Sequence, residues 1–496
     1  MRFLFFSVLF VLAVNCCKGQ GINNLWQHGY STYATLPWNG TQMNLFNGDT
    51  SIVYHERKMS FNFTLANISD SSGNMLFYSN GISVANKMDS IMVNGDSLNP
   101  SANTTAWIDD GMPIPQGNII IPFPNKPNQY LLFHETFVWH KTLPWSVAPE
   151  LFYSKIDMSL DSGRGALIQK NMFVINDSII FGEMVACKHA NGRDWWLMNH
   201  DFNNDVFYKT LITLDTMITY SQHIGPVRTF FSGFCNFSLD GNKFACVNPD
   251  QDLDIYDFDR CSGDLSNRIH IPIADSSVWR TLCFSPDNSK LYVISLLYAY
   301  QYDLTAANIA STLDTIAVWD GFYSPQPPLA AVFNIPYNGY DGRVYVNCAN
   351  STFHLHRIEF PDKLGDSCMF TQHNILCPTY NGFTSPNHPN YHLGPLVGSP
   401  CDTLNLTPGP SPKERGVVRV IPNPIKGNIL NIEYPVIKNK NNSLKIFDAQ
   451  GNNVYIRTLP MWSGMHDFPV PNLSPGLYMI QIIDGENRSY GKFCIF

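Results

Sequence analysis

The chain has 496 residues, of which 13% are aromatic and only 15% are charged, and its formal net charge is −8 at neutral pH. This composition is typical of a folded β protein and excludes the disordered and coiled-coil classes. Residues 1–20 and 417–496 are each net positive, so the body is acidic, which argues against a nucleic-acid partner because phosphate groups require a basic surface.

The chain begins with the pattern of a secretory signal peptide at residues 1–20. Arg2 precedes a largely apolar run of twelve residues, Phe3–Val14, which is too short to span a bilayer. Cys16 leaves a lipoprotein signal open as an alternative, although Asn15 stands where a small residue is expected. The rest of the sequence has no apolar run of about eighteen residues, so we expect an exported protein without a transmembrane span.

One phrase, a polar turn followed by a short apolar strand, occurs six times in the body of the chain. Its clearest copies are Phe284–Ser295 (FSPDNSKLYVIS) and Phe237–Val247 (FSLDGNKFACV). Asp-Gly, Asn-Gly and Asp-Asn tolerate positive φ and close hairpins, and the aromatic and β-branched residues that follow suit a strand. The copies recur every 47 to 64 residues, near the length of a propeller blade, at Gly73, Asn128, Gly192, Gly241, Asn288 and Gly342. Residues 21–405 are therefore predicted to form a β-propeller of six or seven blades, with a large β-sandwich as the alternative.

The chain ends in a second, smaller module. Residues 406–416 are rich in proline and lack apolar periodicity, which is typical of a linker. Residues 417–496 contain about seven short alternating runs separated by turn signals, which predicts a small immunoglobulin-like β-sandwich. The whole chain is therefore predicted to be all-β.

This module resembles the C-terminal type A sorting domain of the type IX secretion system of Bacteroidota. The resemblance rests on Val420–Pro424, Leu444–Gly451, Leu473–Ile480 and Lys492–Phe496, whose order and spacing run to the C-terminus. It implies export by a signal peptide, recognition by the type IX secretion machinery, and a secreted or outer-cell-surface location. The residues that carry the sorting motif are Pro422, Asn423, Pro424, Asp448, Gly451, Gly476, Tyr478 and Lys492. Cys494 departs from the usual final strand.

The body also resembles uncharacterised secreted, WD-repeat-like propeller proteins of the same phylum. The similarity covers most of residues 60–402 and is carried by Ser69–Asn80, His189–Trp196, Tyr256–Gly263, Phe284–Tyr292 and Asn387–Asp402. It implies the fold and brings no activity with it.

The densest cluster of unusual residues contains His189, Arg193, Asp194, Trp195 and Trp196. Two tryptophans beside an arginine suit sugar stacking or anion binding, so these five are the candidate ligand-binding residues. The alternative is that the polar residues form a hairpin turn while the two tryptophans alternate between the faces of a blade.

No catalytic residue, metal site or cofactor is predicted. The run Asp250–Asp254, with aspartates at alternate positions, has the spacing of a calcium loop but lacks the required glycine and glutamate, so we expect a solvated strand face. His373, His388 and His392 lie near the predicted ring closure. Neighbouring prolines favour a rigid loop whose histidines hydrogen-bond the backbone over a metal site.

Ten cysteines follow residue 20, and export makes disulfides possible. The C-x-x-C spacing of zinc sites is absent. The pairs predicted first are Cys368–Cys377 and Cys235–Cys261. The alternative is that several cysteines are buried on strands as small apolar residues, such as Cys246, Cys283 and Cys348.

These features predict a binding or adhesion protein with a glycan or protein partner. The rival is a secreted hydrolase or lyase that acts on polysaccharide, and a self-associating surface-layer component is a third reading. An enzyme should show acidic groups or a His–Asp pair with shifted pKa values that converge in the funnel. A binding protein should show exposed aromatic residues without such a pair.

Overall fold

The computed structural model describes residues 21–29, 36–45, 50–139, 146–325, 328–383, 385–402, 418–420, 429–448, 450–462, 465–471, 473–485 and 487–495. The chain divides into two compact units, residues 1–405 and 406–496, which we describe separately. The predicted signal peptide, the linker and the motif residues Pro422, Asn423 and Pro424 lie outside the described ranges.

In the described part of the first unit, seven antiparallel sheets form the blades of a propeller. The first two blades have three strands each and the third has four, with a short hairpin inserted in it. Blade 1 contains β1 (Leu25–Gly29), β2 (Gly40–Asn44) and β3 (Ser51–His55), and blade 2 contains β4 (Ala66–Ser69), β5 (Met75–Ser79) and β6 (Val84–Asn86). Blade 3 contains β7 (Asn118–Pro122), β8 (Gln129–Glu135), the hairpin β9 (Val138–Trp139) and β10 (Ser146–Val147), β11 (Leu151–Asp157) and β12 (Ala166–Ile175).

Blades 4 to 7 have four strands each. Blade 4 contains β13 (Val185–Lys188), β14 (Trp195–His200), β15 (Asn204–Ile212) and β16 (Met217–Arg228), and blade 5 contains β17 (Phe234–Phe237), β18 (Lys243–Asn248), β19 (Asp252–Phe258) and β20 (Leu265–Ile271). Blade 6 contains β21 (Arg280–Phe284), β22 (Lys290–Ser295), β23 (Tyr298–Asp303) and β24 (Asp314–Val318), and the hairpin β25 (Tyr323–Pro325) and β26 (Pro328–Ala330) follows it. Blade 7 contains β27 (Phe333–Asn338), β28 (Val344–Cys348), β29 (Thr352–Ile358) and β30 (Phe370–Asn381).

Helical structure in the described ranges consists of α1 (Ala102–Ala106) and three single 3-10 turns at Asp161–Gly163, Ile309–Thr312 and Gly365–Cys368. The side chain of Ser101 caps α1 by accepting a hydrogen bond from the Thr104 N–H. No helix in the described part of the chain is long and apolar enough to cross a membrane.

Hydrogen bonds join each blade to the next around the ring. In ring order they are Asn67 Nδ2 to Leu25 O (2.7 Å), Asn118 Nδ2 to Ser79 O (3.1 Å), Asn199 Nδ2 to Glu135 Oε1 (3.2 Å), Trp196 Nε1 to Arg260 O (2.9 Å), Asp240 N to Asn288 Oδ1 (3.2 Å) and Thr281 Oγ1 to Asn334 O (2.9 Å). The ring closes between blades 7 and 1, where the buried hydroxyls of Thr41 and Thr379 are 2.7 Å apart. Trp26 packs edge-on against Tyr345 at the same junction.

The six turn residues predicted from the sequence all have positive φ, between 64° and 84°. Each lies in the hairpin between the first and second strands of one of blades 2 to 7. The repeated phrase therefore corresponds to six blades, and residues before β4 supply the seventh. We call the face with these hairpins the exit face, and the opposite face, where the first strands of blades 2 to 7 begin, the entry face.

The core of the propeller lies between the blades, where apolar side chains of facing sheets interdigitate. Ile120, Leu132 and Leu197 are fully buried between blades 3 and 4, and Leu282 and Val293 are fully buried in blade 6. Each such side chain contributes about 1.5–3 kcal/mol to the free energy of folding. The alternation of apolar residues along the strands thus fixes which face of each blade meets its neighbour.

The second unit is a small β-sandwich with the seven strands that the sequence predicts. They are β31 (Arg419–Val420), β32 (Ile429–Glu433), β33 (Asn442–Phe447), β34 (Asn453–Arg457), β35 (Met465–Pro469), β36 (Gly476–Asp484) and β37 (Asn487–Ile495). One sheet has the order β31-β32-β35 and the other β34-β33-β36-β37. Leu430, Ile446, Ile480 and Phe493 are fully buried between the sheets.

Two turn glycines form a matched pair that tests the packing at the exit face. Gly241 and Gly342 have φ values of 71° and 80°. A Cβ at Gly342 would meet no heavy atom within 4 Å, whereas a Cβ at Gly241 would lie 2.7 Å from Cys187 Sγ and 2.9 Å from Arg260 Cδ. Gly342→Ala should lower the free energy of unfolding by about 1–2 kcal/mol because of the left-handed backbone alone. We expect Gly241→Ala to lower it further, and equal losses in chemical unfolding would contradict this packing.

Candidate functional site

Residues 385–396, which follow the last blade, run along the axis of the propeller from the entry face to the exit face. We call them the axial segment. Near the entry face, the side chain of Asn387 donates to the carbonyl oxygens of Asn118 and Met184, both at 3.1 Å. Farther along, the Tyr391 hydroxyl donates to Ile120 O at 2.8 Å. The segment therefore occupies the channel that propellers of this kind enclose.

Histidines of the axial segment bond to the protein itself. His388 Nε2 lies 2.7 Å from Asn67 O, and burial lowers the pKa of this imidazole to about 4, so the ring is neutral near pH 7 and donates to the carbonyl. His392 Nε2 lies 3.1 Å from Asn23 Oδ1. His373 lies apart from both, in blade 7, where it pairs with Asp320 at 3.0 Å. The structure does not bring the three histidines together.

The exit-face end of the axial segment is held by Arg260 and by a disulfide. Arg260 donates to Gly394 O at 2.5 Å and to Lys188 O at 2.9 Å. Cys261 is bonded to Cys401. The chain after the segment is thereby fixed to the third hairpin of blade 5.

The disulfide corrects both predicted pairs. Cys235, Cys368 and Cys377 are free and buried. Cys235 lies on β17, where its register partner is Cys246 on β18, whereas Cys261 lies in the exit-face loop between β19 and β20. Cys368 ends a 3-10 turn while Cys377 lies within β30, so the short spacing in sequence does not bring them together.

A cavity of about 280 Å³ remains beside the axial segment. Its lining mixes apolar side chains such as Trp26 and Ile119 with polar ones that include Asn236, Asn338 and His392. Burial, with Lys188 nearby, lowers the pKa of His392. The volume lies just below the range of roughly 300–1,000 Å³ typical of ligand pockets, so the channel offers little room for a large partner.

Five aromatic side chains lie at the entry face, and we call them the aromatic mouth: Phe63, Phe230, Phe231, Trp279 and Phe383. The rings of Phe63 and Phe383 stack with centroids 4.2 Å apart, and those of Phe230 and Phe231 stack at 4.5 Å. Trp279 lies 6.3 Å from Phe63 and shares a shallow depression with Phe230. All five residues are partly exposed.

Two acidic side chains, Glu135 and Glu183, lie beneath the entry face and are at most 1% exposed. Burial raises the pKa of both carboxyl groups, and repulsion from Glu183 raises that of Glu135 further. Asn199 donates to Glu135 at 3.2 Å and Arg228 to Glu183 at 2.9 Å. These are convergent acidic groups with raised pKa values, but they have almost no surface with which a polysaccharide could make contact.

The five candidate residues from the sequence lie together in the hairpin formed by β13 and β14, with His189, Arg193 and Asp194 in the turn and Trp195 and Trp196 at the start of β14. Arg193 pairs with Asp194 at 2.7 Å, and His189 Nε2 lies 3.0 Å from Cys261 O. Trp195 and Trp196 are 1% and 2% exposed, and Trp196 donates to Arg260 O. Within this hairpin the exposed polar surface belongs mainly to Arg193, and the binding role of the cluster stays a prediction.

The aspartates at 250–254 lie where β19 begins. Asp254 is 1% exposed and pairs with Arg268 at 2.8 Å and with His270 at 3.0 Å. The alternating pattern is therefore a strand, as expected, but Asp254 faces a buried ion-pair cluster that includes Arg228 and is not solvated. In the described ranges, no three His, Cys, Asp or Glu side chains are arranged to hold a metal ion.

The predicted sorting-motif residues that the structure describes lie in turns and strands of the second unit. Asp448 accepts hydrogen bonds from the backbone N–H of Asn452 at 2.8 Å and of Gln450 at 3.0 Å, and Gly451 has φ 86°. Hydrogen bonds, above all from the Asn452 side chain, lower the pKa of Asp448. Tyr478 donates to Ser474 O, Gly476 begins β36, and Lys492 lies on β37.

Comparison with known proteins agrees with this second unit. Residues 419–496 match the family described as Secretion system C-terminal sorting domain. The protein is therefore a substrate of the type IX secretion system, whose machinery it must contact, and it is exported to the cell surface or the extracellular space. No curated protein matches the chain.

Several solved structures are similar to the chain at low identity. A putative 6-phosphogluconolactonase from Bacteroides uniformis is 12% identical with a TM-score of 0.44, and the match covers 73% of this chain and 98% of that one. A protein from Lactobacillus plantarum is 13% identical with a TM-score of 0.43, at 73% and 98% coverage. A functionally unknown protein from Desulfotomaculum acetoxidans is 12% identical with a TM-score of 0.41, at 73% and 99% coverage. These similarities carry no argument about function.

The disulfide should stabilise the axial segment in its channel. Cys261 and Cys401 are 140 residues apart, and removal of a native disulfide typically costs about 2–5 kcal/mol of unfolding free energy. We expect Cys401→Ser to lower the Tm of the protein by several degrees. A reductant should lower the Tm of the wild-type protein and leave that of Cys401→Ser unchanged. A wild-type Tm that is insensitive to reductant under unfolding conditions would contradict this role.

The buried carboxyl of Glu135 should make stability depend on pH. Because its pKa is raised in the folded state, its contribution is fully present below the ordinary glutamate pKa of about 4.3 and is lost as the pH rises through the folded-state value. Glu135→Gln cannot ionise, so its Tm should exceed that of the wild type by an amount that grows from pH 5 to pH 8. The surface variant Glu56→Gln should follow the wild type. A difference for Glu135→Gln that is constant across this range would contradict the assignment.

Proposed function

We propose that this protein is a secreted binding protein that holds a polysaccharide against its aromatic mouth. The observation that carries the proposal is the set of stacked, partly exposed rings at the entry face. Aromatic rings present flat apolar faces on which the C–H groups of a sugar ring can pack, while the edges of the aromatic rings remain in contact with solvent. The type IX sorting domain delivers the protein to the cell surface or the extracellular space, where polysaccharides are present.

The rings of the mouth are held in place before any ligand arrives. The indole N–H of Trp279 donates to Asn334 Oδ1 at 2.6 Å, which fixes the plane of the ring. Phe63 and Phe383 lie 9° from parallel and support each other. Preorganised side chains lose little conformational entropy on binding, which favours affinity.

A hydrolase or lyase that acts on polysaccharide is the alternative. Its support among the described residues is the buried pair Glu135 and Glu183, whose raised pKa values are typical of catalytic acids. General acid catalysis needs hydrogen-bond reach of the substrate, and both side chains are at most 1% exposed. We therefore favour binding without turnover.

The test uses the chain without residues 1–20 and immobilised cellulose, chitin, xylan and mannan. We expect retention on at least one of them, and Trp279→Ala and Phe63→Ala should each weaken the association at least tenfold, or by about 1.4 kcal/mol. Phe360→Ala is the matched control, because this ring is 53% exposed and follows β29 on the exit face. Retention that both mouth variants share with the wild type would contradict the proposal. Release of soluble oligosaccharide would instead favour the hydrolase or lyase.

A further inference from the structure

An open groove of about 380 Å³ lies between blades 1 and 2, and we call it the blade 1–2 groove. It shares no lining residue with the aromatic mouth or the axial segment. In the wall formed by blade 1, Gln27 lies opposite Gln42 and Leu25 lies opposite Asn44 in the ladder between β1 and β2. Alternate residues of a strand share one face, so all four side chains point toward blade 2.

The side-chain amide of Gln27 is the most informative group in the groove. The residue is 1% exposed, and its Oε1 accepts no hydrogen bond. A buried acceptor without a partner destabilises the folded protein, and a donor that bound to it would remove that cost. The oxygen itself has almost no accessible surface, so a ligand hydroxyl supplies the missing bond when the Gln27 side chain turns into the groove that it lines.

The chemistry of the lining selects the class of ligand. Four amides line the space, those of Gln27, Gln42, Asn44 and Asn74. Asn44 already accepts a hydrogen bond from Asn24 at 3.0 Å, and Asn74 donates to Asp70 at 3.0 Å. Lys87 and Asp89 carry opposite charges.

Asp89 already accepts a hydrogen bond from Tyr78 at 2.7 Å and pairs with His55 at 3.3 Å. Leu25 and Met75 supply apolar surface in the same groove. The lining therefore suits a neutral molecule with many hydroxyl groups and an apolar face.

We propose that the blade 1–2 groove is a saccharide-binding site in which the amides of Gln27 and Gln42 bind sugar hydroxyl groups. Its volume falls within the range of roughly 300–1,000 Å³ of ligand pockets, which is enough for one or two sugar residues. This site does not depend on the aromatic mouth. The two sites can be tested in the same protein, and either one can fail alone.

The test is saturation-transfer difference NMR on the chain without residues 1–20 that also carries Trp279→Ala and Phe63→Ala, so that the aromatic mouth does not contribute to the signal. The probes are defined oligosaccharides of glucose, xylose, mannose, galactose and N-acetylglucosamine. Gln27→Met and Gln42→Met keep the length of the side chain and remove the amide. We expect at least one probe to bind, with its Kd raised at least tenfold by each variant and unchanged by Gln251→Met, a control in the turn between β18 and β19.

Two further measurements distinguish binding in the groove from a loss of folding and from binding at the aromatic mouth. Gln27→Met should retain or exceed the wild-type Tm, because it removes an acceptor that has no partner. A probe signal in the Trp279→Ala, Phe63→Ala background separates this site from the aromatic mouth. The proposal is overturned if no probe binds in that background, or if the signal there survives in both Gln27→Met and Gln42→Met.

Discussion

The rest of this propeller depends on how the axis-facing edges of its first strands are satisfied. An open sheet edge presents backbone carbonyl and N–H groups that need partners, and a narrow channel holds little water to supply them. The axial segment provides donors from its side chains. Asn387 donates to the carbonyl oxygens of Asn118 and Met184, and Tyr391 donates to that of Ile120. One short stretch of chain thus connects several blades at once. Its far end is fixed both by Arg260 and by a disulfide.

The sequence predicted the features that a few neighbouring residues determine. A hairpin that needs positive φ requires glycine or asparagine at one position, so the turns of blades 2 to 7 were visible as a repeat. Blade 1 was not visible as a blade, because ten residues separate β1 from β2, more than separate the first two strands of the other blades. Its place in the ring depends on contacts with blades 7 and 2, such as Thr41 with Thr379, that no local pattern encodes.

The same limit explains what could be predicted of the candidate sites. The cluster from His189 to Trp196 lies in one hairpin, so residues that are close in sequence are also close in space. Its two tryptophans are buried on β14. Phe63 and Phe383 are 320 residues apart in the numbering, yet their rings stack. A sequence alignment of the blades could have pointed to part of the aromatic mouth. Phe63 and Phe230 each lie a few residues before the first strand of a blade, so such an alignment would have placed them at equivalent positions.

The position of the blade 1–2 groove follows from the number of strands. Blades 1 and 2 are the two with three strands, so each covers less of its neighbour than a four-stranded blade would, and space remains between them. Space of this kind in an ordinary core is filled by larger apolar side chains, because an empty cavity costs contacts. Here the wall carries amides, and one of them, Gln27, leaves a buried oxygen without a partner. Polar residues that lower the stability of the fold and leave a groove unfilled are characteristic of a ligand-binding surface.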